Sequence, residues 1–302
     1  MADENKIRDT IILCYAYKAP IMNPQVIERS HVARLLPKRP QESHKGMYGS
    51  VLVIGGASGM AGAAILASRA ALKMGAGIVH AMLMDENAPS FDFMQPELML
   101  HRTEEKFPAA TTVLAGCGMG KSAVATRLLL RALRADADLV LDADALNLIA
   151  IHDELRGILV ARRRPSLLTP HPAEAARLLG CTTEKVQNDR IASVLKLAED
   201  YRCLAVLKGS GSLCAMPDGR LFINRTGNPG MSAPGMGDVL SGMISGLIAQ
   251  GLRMDEALLL AVHLHGAAGD ELARNTAIGM TAGELADKAR ELLNLWISER
   301  TS

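Results

Sequence analysis

The chain has 302 residues, of which 49% are hydrophobic and 22% charged, enough to bury a large core in one α/β domain. A net charge of +1 and an aromatic content of 3% argue against a nucleic-acid partner, which needs a basic surface and aromatic rings on which bases stack. The five cysteines are odd in number and include no C-x-x-C pair, so neither a disulfide framework nor a structural zinc site is expected. A reducing, cytoplasmic location fits this composition.

The start of the chain reads as an extension to the core. A short amphipathic helix is predicted over residues 24–36, ended by the prolines at 37 and 40. The apolar run at 10–22 is interrupted by a lysine and a proline and has no basic segment before it, so it predicts neither a membrane span nor a signal peptide. We therefore expect an N-terminal extension, 1–40, a single domain, 41–302, and no membrane association.

The first motif-bearing segment predicts a β-loop-α unit. A β run at 50–54 leads into a glycine turn and a long alanine-rich helix, and a second strand is expected at 77–84, parallel to the first. The turn glycines fall at positions 55, 56, 59 and 62 and do not form the dinucleotide fingerprint G-x-G-x-x-G. The turn allows a ligand to approach the backbone, but it does not predict a Rossmann cofactor site.

The segment TVLAGCGMGKS, residues 112–122, admits two interpretations. It satisfies a relaxed P-loop spacing with Ala115 in place of the first glycine, and the apolar run at 139–142 could then be a Walker B strand. Against this, the missing glycine weakens the motif, and a second glycine loop further along the chain would have no role. The alternative is a flexible turn at a strand end, with Lys121 solvated on the next helix.

Two further strand ends carry polar residues. Asp142 and Asp144 follow the predicted strand at 139–142, where open α/β sheets bind ligands. They are candidates for holding ribose hydroxyls or a hydrated magnesium ion, although Asp144 could equally cap the next helix. In TPHP, His171 stands between two prolines in a rigid, non-helical position, which favours contact with substrate over burial in the core.

A lysine begins the next glycine loop. After a long amphipathic helix predicted at 183–201, a strand ends at Lys208, and a hairpin turn is expected at 217–219. The lysine and the residues after it offer a cation, bare amides and two hydroxyls, which suit the phosphates of a nucleotide: Gly209, Ser210, Gly211 and Ser212. The alternative is a surface lysine before a turn.

The stretch at 227–251 combines a glycine- and proline-rich loop with a helix that Asp238 is expected to open. The first turn of that helix would present free N–H groups and the positive end of the helix dipole to an anion such as phosphate. A carboxylate there is poorly placed to bind the anion but well placed to take a proton from an attacking hydroxyl. Asp238 is thus a candidate base, and the competing interpretation is an ordinary N-terminal helix cap.

The last segment predicts two amphipathic helices, at 255–275 and 281–297. The first contains His263 and His265, a pair that resembles a metal-binding motif. Because residues two apart on a helix point to nearly opposite faces, we do not expect these histidines to be ligands of one ion.

Nine motifs together match one family, in its order, over nearly the whole chain from residue 44. These are HKGMYG (44–49), GG-x₅-GAA (55–64), GCG (116–118), LDADALN (141–147), LTPHPAE (168–174), LKG (207–209), PDG (217–219), GNPGMSAPGMGDVLSG (227–242) and HLHGAAGD (263–270). The chain resembles the ADP- or ATP-dependent NAD(P)H-hydrate dehydratases, repair enzymes of the ribokinase-like superfamily. Three residues depart from the family's usual ones: Cys117, Ser212 and Pro234.

The resemblance implies an activity and a set of site residues. The hydroxyl of hydrated NADH or NADPH (NADHX, NADPHX) would be phosphorylated by the nucleotide with Mg²⁺, and loss of phosphate would restore the dinucleotide. Asp238 would be the base and would also contact the substrate, together with Ala63, Gly118 and His171. The nucleotide phosphates would lie against Gly237 and the loop at 208–212. The resemblance further implies a homo-oligomer, often a tetramer.

The expected fold is a three-layer α/β/α domain of the ribokinase-like type, with a central, mostly parallel sheet and helices on both faces. Three alternative functions remain: a small-molecule kinase of the same superfamily, a P-loop NTPase, and a nucleotide-binding module without turnover. A kinase would release a stable phosphoester, whereas a binding module would convert nothing.

Overall fold

The computed structural model describes residues 23–35, 39–103 and 105–299. Within them the chain forms a single sheet of ten strands: β1 (Gln25–Val26), β2 (Ser50–Gly55), β3 (Ile78–Leu83), β4 (Met99–Arg102), β5 (Thr112–Ala115), β6 (Asp138–Leu141), β7 (Ser166–Leu168), β8 (Leu204–Leu207), β9 (Leu213–Ala215) and β10 (Leu221–Ile223). The strands lie in the order β1-β10-β9-β8-β7-β6-β5-β2-β3-β4.

The seven strands from β2 to β8 run parallel, and the hairpin β9–β10 is antiparallel. The predicted pairing of β2 with β3 is confirmed, with Ser50 opposite Ile78. The predicted hairpin turn is also confirmed, since Gly219 donates its amide to the Met216 carbonyl. The carboxyl ends of all the parallel strands therefore meet along one edge of the sheet.

Helices cover both faces. They are α1 (Arg29–Val32), α2 (Ala61–Lys73), α3 (Ala123–Arg134), α4 (Ala143–Ile151), α5 (Asp153–Val160), α6 (Pro172–Leu179), α7 (Thr183–Asn188), α8 (Arg190–Tyr201), α9 (Met236–Ala249), α10 (Met254–Ala273) and α11 (Ala282–Glu299). One core lies between the sheet and α2, α9, α10 and α11, and a second lies between the sheet and α3 to α8. The three-layer α/β/α prediction is confirmed.

Helix α9 packs against α2 with almost no space between the backbones. A Cβ built on Gly242 would lie 2.1 Å from the Ala67 carbonyl oxygen, and one built on Gly246 would lie 2.5 Å from that of Ala71. The side of α9 that carries these two glycines therefore faces a neighbouring helix. This contact fixes the position of α9, and with it that of its first turn, relative to the sheet.

Two helix predictions were wrong in part. The segment at 24–36 does not form one helix: Gln25 and Val26 pair with β10 as a parallel edge strand, and only the four residues of α1 are α-helical before a 3-10 turn at Ala33–Leu35. The predicted helix at 183–201 is two helices, because Asp189 leaves helical geometry and caps α8 through the Ala192 amide. The apolar run at 10–22 lies outside the described residues.

Candidate active site

Polar side chains from several elements meet at the carboxyl edge of the sheet. Asp142 follows β6, Lys208 follows β8, and Asp238 comes from the first turn of α9. The Lys208 ammonium donates to Asp142 Oδ1 at 2.7 Å, and a Cβ built on Gly237 would lie 3.2 Å from the same nitrogen. The sheet thus brings together three of the predicted site residues, Lys208, Gly237 and Asp238, around Asp142.

Asp142 is the central acceptor of this cluster. Its Oδ1 also accepts the Ala143 amide at 2.9 Å, and its Oδ2 accepts the hydroxyl of Ser241 at 2.7 Å. Only 2% of the Asp142 side chain is exposed, against 18% for Lys208. The two charges therefore compensate each other in a nearly dry environment. The sequence did not reveal Ser241, although its spacing of three from Asp238 places both on one face of α9.

Lys208 is not the exposed surface lysine of the alternative interpretation. Burial alone would lower the pKa of its ammonium, but the carboxylates of Asp142 and Glu174 outweigh that effect and raise the pKa. The lysine is therefore held protonated. It supplies a fixed positive charge beneath the head of α9, although in this structure that charge faces a carboxylate.

Asp238 lies inside its helix. Helix α9 begins at Met236 with Gly235, at φ +85°, as its N-cap, so the expectation that Asp238 opens the helix was wrong, and the competing interpretation of Asp238 as its cap is contradicted. Burial raises the pKa of the Asp238 carboxyl to about 6, and the charge of Asp142 adds to the rise, while Cys117 and Lys208 oppose it. A carboxyl with such a pKa is mostly ionised at neutral pH and can still accept a proton readily, as a general base requires.

Cys117 completes the cluster. Its Sγ and one carboxylate oxygen each of Asp142 and Asp238 all lie within 4.8 Å of one another. Burial, followed by these two negative charges, raises the pKa of the thiol well above its usual range. The thiol therefore stays protonated beside the candidate base, and its sulfur is not a ligand that a hard cation such as Mg²⁺ prefers.

The glycine turn after β5 is already engaged by the protein. Its carbonyls at Cys117 and Gly118 accept the amides of Gly56 and Ala57, and its Gly120 amide donates to Asp144 Oδ2 at 2.8 Å. Lys121 is exposed at the end of this turn. The Ser122 hydroxyl caps α3, which is not the role of a P-loop hydroxyl. These contacts contradict the P-loop interpretation.

The same turn adjoins the start of α2. A Cβ built on Gly118 would lie 3.1 Å from the Ala63 Cβ and 2.7 Å from the Met60 carbonyl oxygen. The two predicted substrate-contact residues Ala63 and Gly118 are thus neighbours, and Gly118 follows Cys117 of the cluster.

The alternative role of Asp144, as the cap of α4, is contradicted. Asp142 caps α4 through the Ala143 amide, and Asp144 lies in the first turn. Its Oδ1 accepts from the side chain of Asn147, whose own oxygen accepts from Arg177. Asp144 thus joins the glycine turn after β5 to α4 and α6.

His171 holds the start of α6. Its Nδ1 accepts the amide of Ala173, and the buried Glu174 returns a carboxylate to the His171 amide at 2.8 Å. Of its side chain, 48% stays exposed, and its Nε2 lies 3.2 Å from Glu174 Oε1. Burial lowers the pKa of His171, and Lys208 and Arg177 lower it further, so the ring is neutral at pH 7. The non-helical position is confirmed, and the ring has a role as helix cap that the sequence did not reveal.

The loop after Lys208 presents unpaired amides. Within the described chain, the N–H groups of Gly209, Ser210 and Gly211 donate no hydrogen bond, that of Ser212 closes a tight turn toward Gly209, and the Lys208 amide donates to Pro170. Positive φ values at Gly209 (+141°) and Gly211 (+66°) allow this open turn. Consecutive free amides of this kind form an anion-binding nest.

His263 and His265, which were not expected to bind one ion, are both buried. His265 Nε2 lies 3.0 Å from the Met236 carbonyl at the head of α9, and His263 packs against Trp296. Burial lowers the pKa of His265 to about 4. The neutral ring contacts the first turn of α9 at the Met236 carbonyl, a structural role that spacing alone did not show.

Known proteins share this sequence and arrangement. A family profile described as NAD(P)H-hydrate dehydratase matches residues 51–291. The chain is 42% identical over 264 residues to the ADP-dependent (S)-NAD(P)H-hydrate dehydratase of Neisseria meningitidis, covering 85% of this chain and 88% of that protein. The chain belongs to the NAD(P)H-hydrate dehydratase family.

Its other relatives include longer proteins. It is 40% identical over 285 residues to the bifunctional NAD(P)H-hydrate repair enzyme of Coxiella burnetii, covering 92% of this chain and 57% of that protein. The chain thus spans little more than half the length of this curated relative. Among the described helices, none has both the length and the hydrophobicity that a bilayer crossing requires.

Solved structures have the same fold. The ADP/ATP-dependent NAD(P)H-hydrate dehydratase of Bacillus subtilis, co-crystallised with ATP and Mg²⁺, superposes with a TM-score of 0.80 at 30% identity. The match covers 91% of this chain and 99% of that one. The ribokinase-like fold expected for the chain is confirmed.

Proposed function

We propose that this chain dehydrates (S)-NADHX and (S)-NADPHX to NADH and NADPH, using ADP or ATP as phosphoryl donor. The observation that carries the proposal is the position of the Asp238 carboxylate, with a pKa of about 6, beside the Lys208–Asp142 pair. The relatives support the same activity, since one is named for ADP dependence and another crystallised with ATP and Mg²⁺.

The reaction separates into two steps. The ring hydroxyl attacks the terminal phosphorus of the nucleotide while Asp238 takes the hydroxyl proton, and AMP or ADP leaves. The phosphate ester then loses phosphate from one ring carbon and a proton from its neighbour, which forms the missing double bond. Hydroxide is a poor leaving group and phosphate a good one, which is why the nucleotide is consumed.

The two ligands would approach the cluster from opposite sides. The nucleotide phosphates lie against the amides of residues 209–212 and the head of α9 at Gly237, two anion sites that flank Lys208. The hydrated dinucleotide lies against Ala63, Gly118 and His171, and its hydroxyl reaches Asp238. The contact between Ala63 and Gly118 and the half-exposed ring of His171 support this side of the arrangement.

Two carboxylates at this edge would hold the magnesium ion. Asp142 and Asp144 would supply oxygen ligands, which Mg²⁺ prefers, in exchange for hydrogen bonds that they accept from the protein, whereas the sulfur of Cys117 is unsuited to it. When bound with the nucleotide, the ion neutralises phosphate charge. Removal of Mg²⁺ with EDTA should abolish turnover, and added Mg²⁺ should restore it.

We further propose a homo-oligomer, a tetramer, located in the cytoplasm. Four cysteines of the described residues are free, which suits a reducing compartment. Three large apolar side chains between β3 and β4, Phe91, Phe93 and Met94, are 49%, 76% and 77% exposed, as is common at subunit interfaces. Light scattering of the purified protein gives the subunit number, and a monomeric mass would contradict the oligomer.

The direct test of the activity uses hydrated NADH, Mg²⁺ and each nucleotide in turn. The proposal predicts that absorbance at the NADH wavelength returns while phosphate is released. A stable phosphorylated product without NADH would indicate a kinase, and binding without any conversion would indicate a module that has lost turnover.

A further inference from the structure

Arg190 contacts the main chain of the loop of residues 209–212. It is the first residue of α8, and its guanidinium donates to two main-chain carbonyls, that of Leu207 before the loop at 3.2 Å and that of Gly211 within it at 3.3 Å. A Cβ built on Gly209 would lie 3.0 Å from Arg190 Nη1, so the guanidinium also covers the face that this glycine leaves open. One side chain therefore contacts the loop at its start, middle and end.

The direction of these bonds decides where the loop amides point. In a trans peptide the C=O of one residue and the N–H of the next point in opposite directions. Because the Gly211 carbonyl faces Arg190, the Ser212 amide points away from it. The Ser212 hydroxyl holds the Gly209 carbonyl at 3.0 Å in the same manner, which turns the Ser210 amide outward.

The guanidinium itself is firmly placed. Gln187 Oε1 accepts from its Nη1 at 3.2 Å, and the side chain is only partly exposed. Burial lowers the pKa of Arg190, yet arginine stays charged at any physiological pH. Hydrogen bonds from a charged donor are stronger than neutral ones, and a loop with positive φ at Gly209 and Gly211 has little else to define its shape.

We infer that Arg190 is a positioning residue for the nucleotide, which orients the amides of residues 209–212 toward the transferred phosphates without touching them. The inference rests on the proposed function of this loop. Removal of the Arg190 side chain should lower nucleotide affinity, because the ligand itself must then order the free amides. A displacement of about 1 Å in such a site can lower the reaction rate on the order of 100-fold.

Arg162 provides a matched control. It too is partly buried with a pKa lowered by burial, and it donates to main-chain carbonyls, those of Ala132, Leu133, Ala135 and Ala137. These carbonyls end α3 and precede β6, at the edge of the sheet opposite the cluster. Arg162→Met should therefore lower the melting temperature and leave nucleotide affinity unchanged.

The experiment measures ADP and ATP affinity by calorimetry, steady-state kinetics with NADHX, and thermal melts for the parent, Arg190→Met, Arg190→Lys and Arg162→Met. Arg190→Met should raise the nucleotide Kd by about 10- to 100-fold and leave the KM for NADHX unchanged. Arg190→Lys should lie between the parent and Arg190→Met, because an ammonium can bond the carbonyls but cannot cover Gly209.

A parental nucleotide Kd in Arg190→Met, with a melting temperature lowered as in Arg162→Met, would overturn the inference and leave a structural arginine. If Arg190→Met does not fold, Arg190→Lys decides: a Kd raised about threefold or more supports the inference, and an unchanged Kd overturns it. Failure of the parent protein to bind either nucleotide would instead overturn the proposed function of the loop, which the first titration reveals.

Discussion

Asp238 and Lys208 show how burial creates reactivity at single residues. Burial, and then the nearby charge of Asp142, raise the pKa of Asp238 to about 6. Lys208 is paired with Asp142 and keeps its proton. Two carboxylates close together thus have different roles, since the lysine compensates only one of them directly. The other remains free to accept a proton.

The pH profile should report this difference. The base must be ionised to act, so kcat/KM should be constant above the pKa of Asp238 and fall as the pH drops through about 6. Well below that value the loss should approach about tenfold per pH unit. Initial rates with NADHX between pH 5 and 8 measure it, and a profile that stays flat down to pH 5 would contradict the assigned pKa.

Replacement of Lys208 should damage folding as well as binding. Lys208→Ala would leave the Asp142 carboxylate, 2% exposed, without its counter-charge, a change that typically costs about 3–5 kcal/mol of stability. Nucleotide affinity should fall with it, since a positive charge beside the phosphates is lost. Lys121→Ala, at an exposed position, should alter neither the melt nor the titration. If Lys121→Ala weakened nucleotide binding and Lys208→Ala did not, the nucleotide site would instead be the turn after β5.

Among the elements, α9 depends most on exact packing. The glycine and proline pattern of the sequence predicted a loop followed by a helix. The pattern could not show that Gly242 and Gly246 face the carbonyls of α2, because that contact joins segments more than 170 residues apart. The start of the helix was misjudged for a related reason: Gly235, at φ +85°, ends the loop and replaces an acidic cap.

Gly242→Ala should therefore be severely destabilising. The new Cβ would lie 2.1 Å from the Ala67 carbonyl oxygen, so α9 must move away from α2, at a cost of about 1–3 kcal/mol or more. Gly157→Ala in α5 is the matched control, because nothing lies within 4 Å of its added Cβ. The control should be stabilised by about 0.5–1 kcal/mol. Chemical denaturation of both variants measures the difference, and equal stabilities would contradict the close packing of α9 on α2.

At the scale of the whole molecule, the parallel sheet converts distant sequence positions into one site. Alternating strands and helices were sufficient to predict the α/β/α fold, and residues at strand ends were sufficient to predict most of the polar cluster. The sequence could not show the Lys208–Asp142 pair, which joins positions 66 apart, or the support that Arg190 and His265 give to the site. Side chains that act through a neighbour carry no motif of their own.

Asp238→Asn tests the central claim, that this carboxylate is the catalytic base, because Asn has the same shape but cannot accept the proton. Turnover of NADHX should fall by about 10²–10⁴-fold while the nucleotide Kd stays near that of the parent. Since burial of the Asp238 charge opposes folding above pH 4, the variant should melt at or above the parent temperature at pH 7.

The decisive measurement is therefore NADH regeneration from NADHX by Asp238→Asn, made on protein whose melt and nucleotide titration match these expectations. The structure predicts nearly complete loss of regeneration in a folded, nucleotide-binding protein. Turnover within a few-fold of the parent would contradict the assignment of Asp238 as the base.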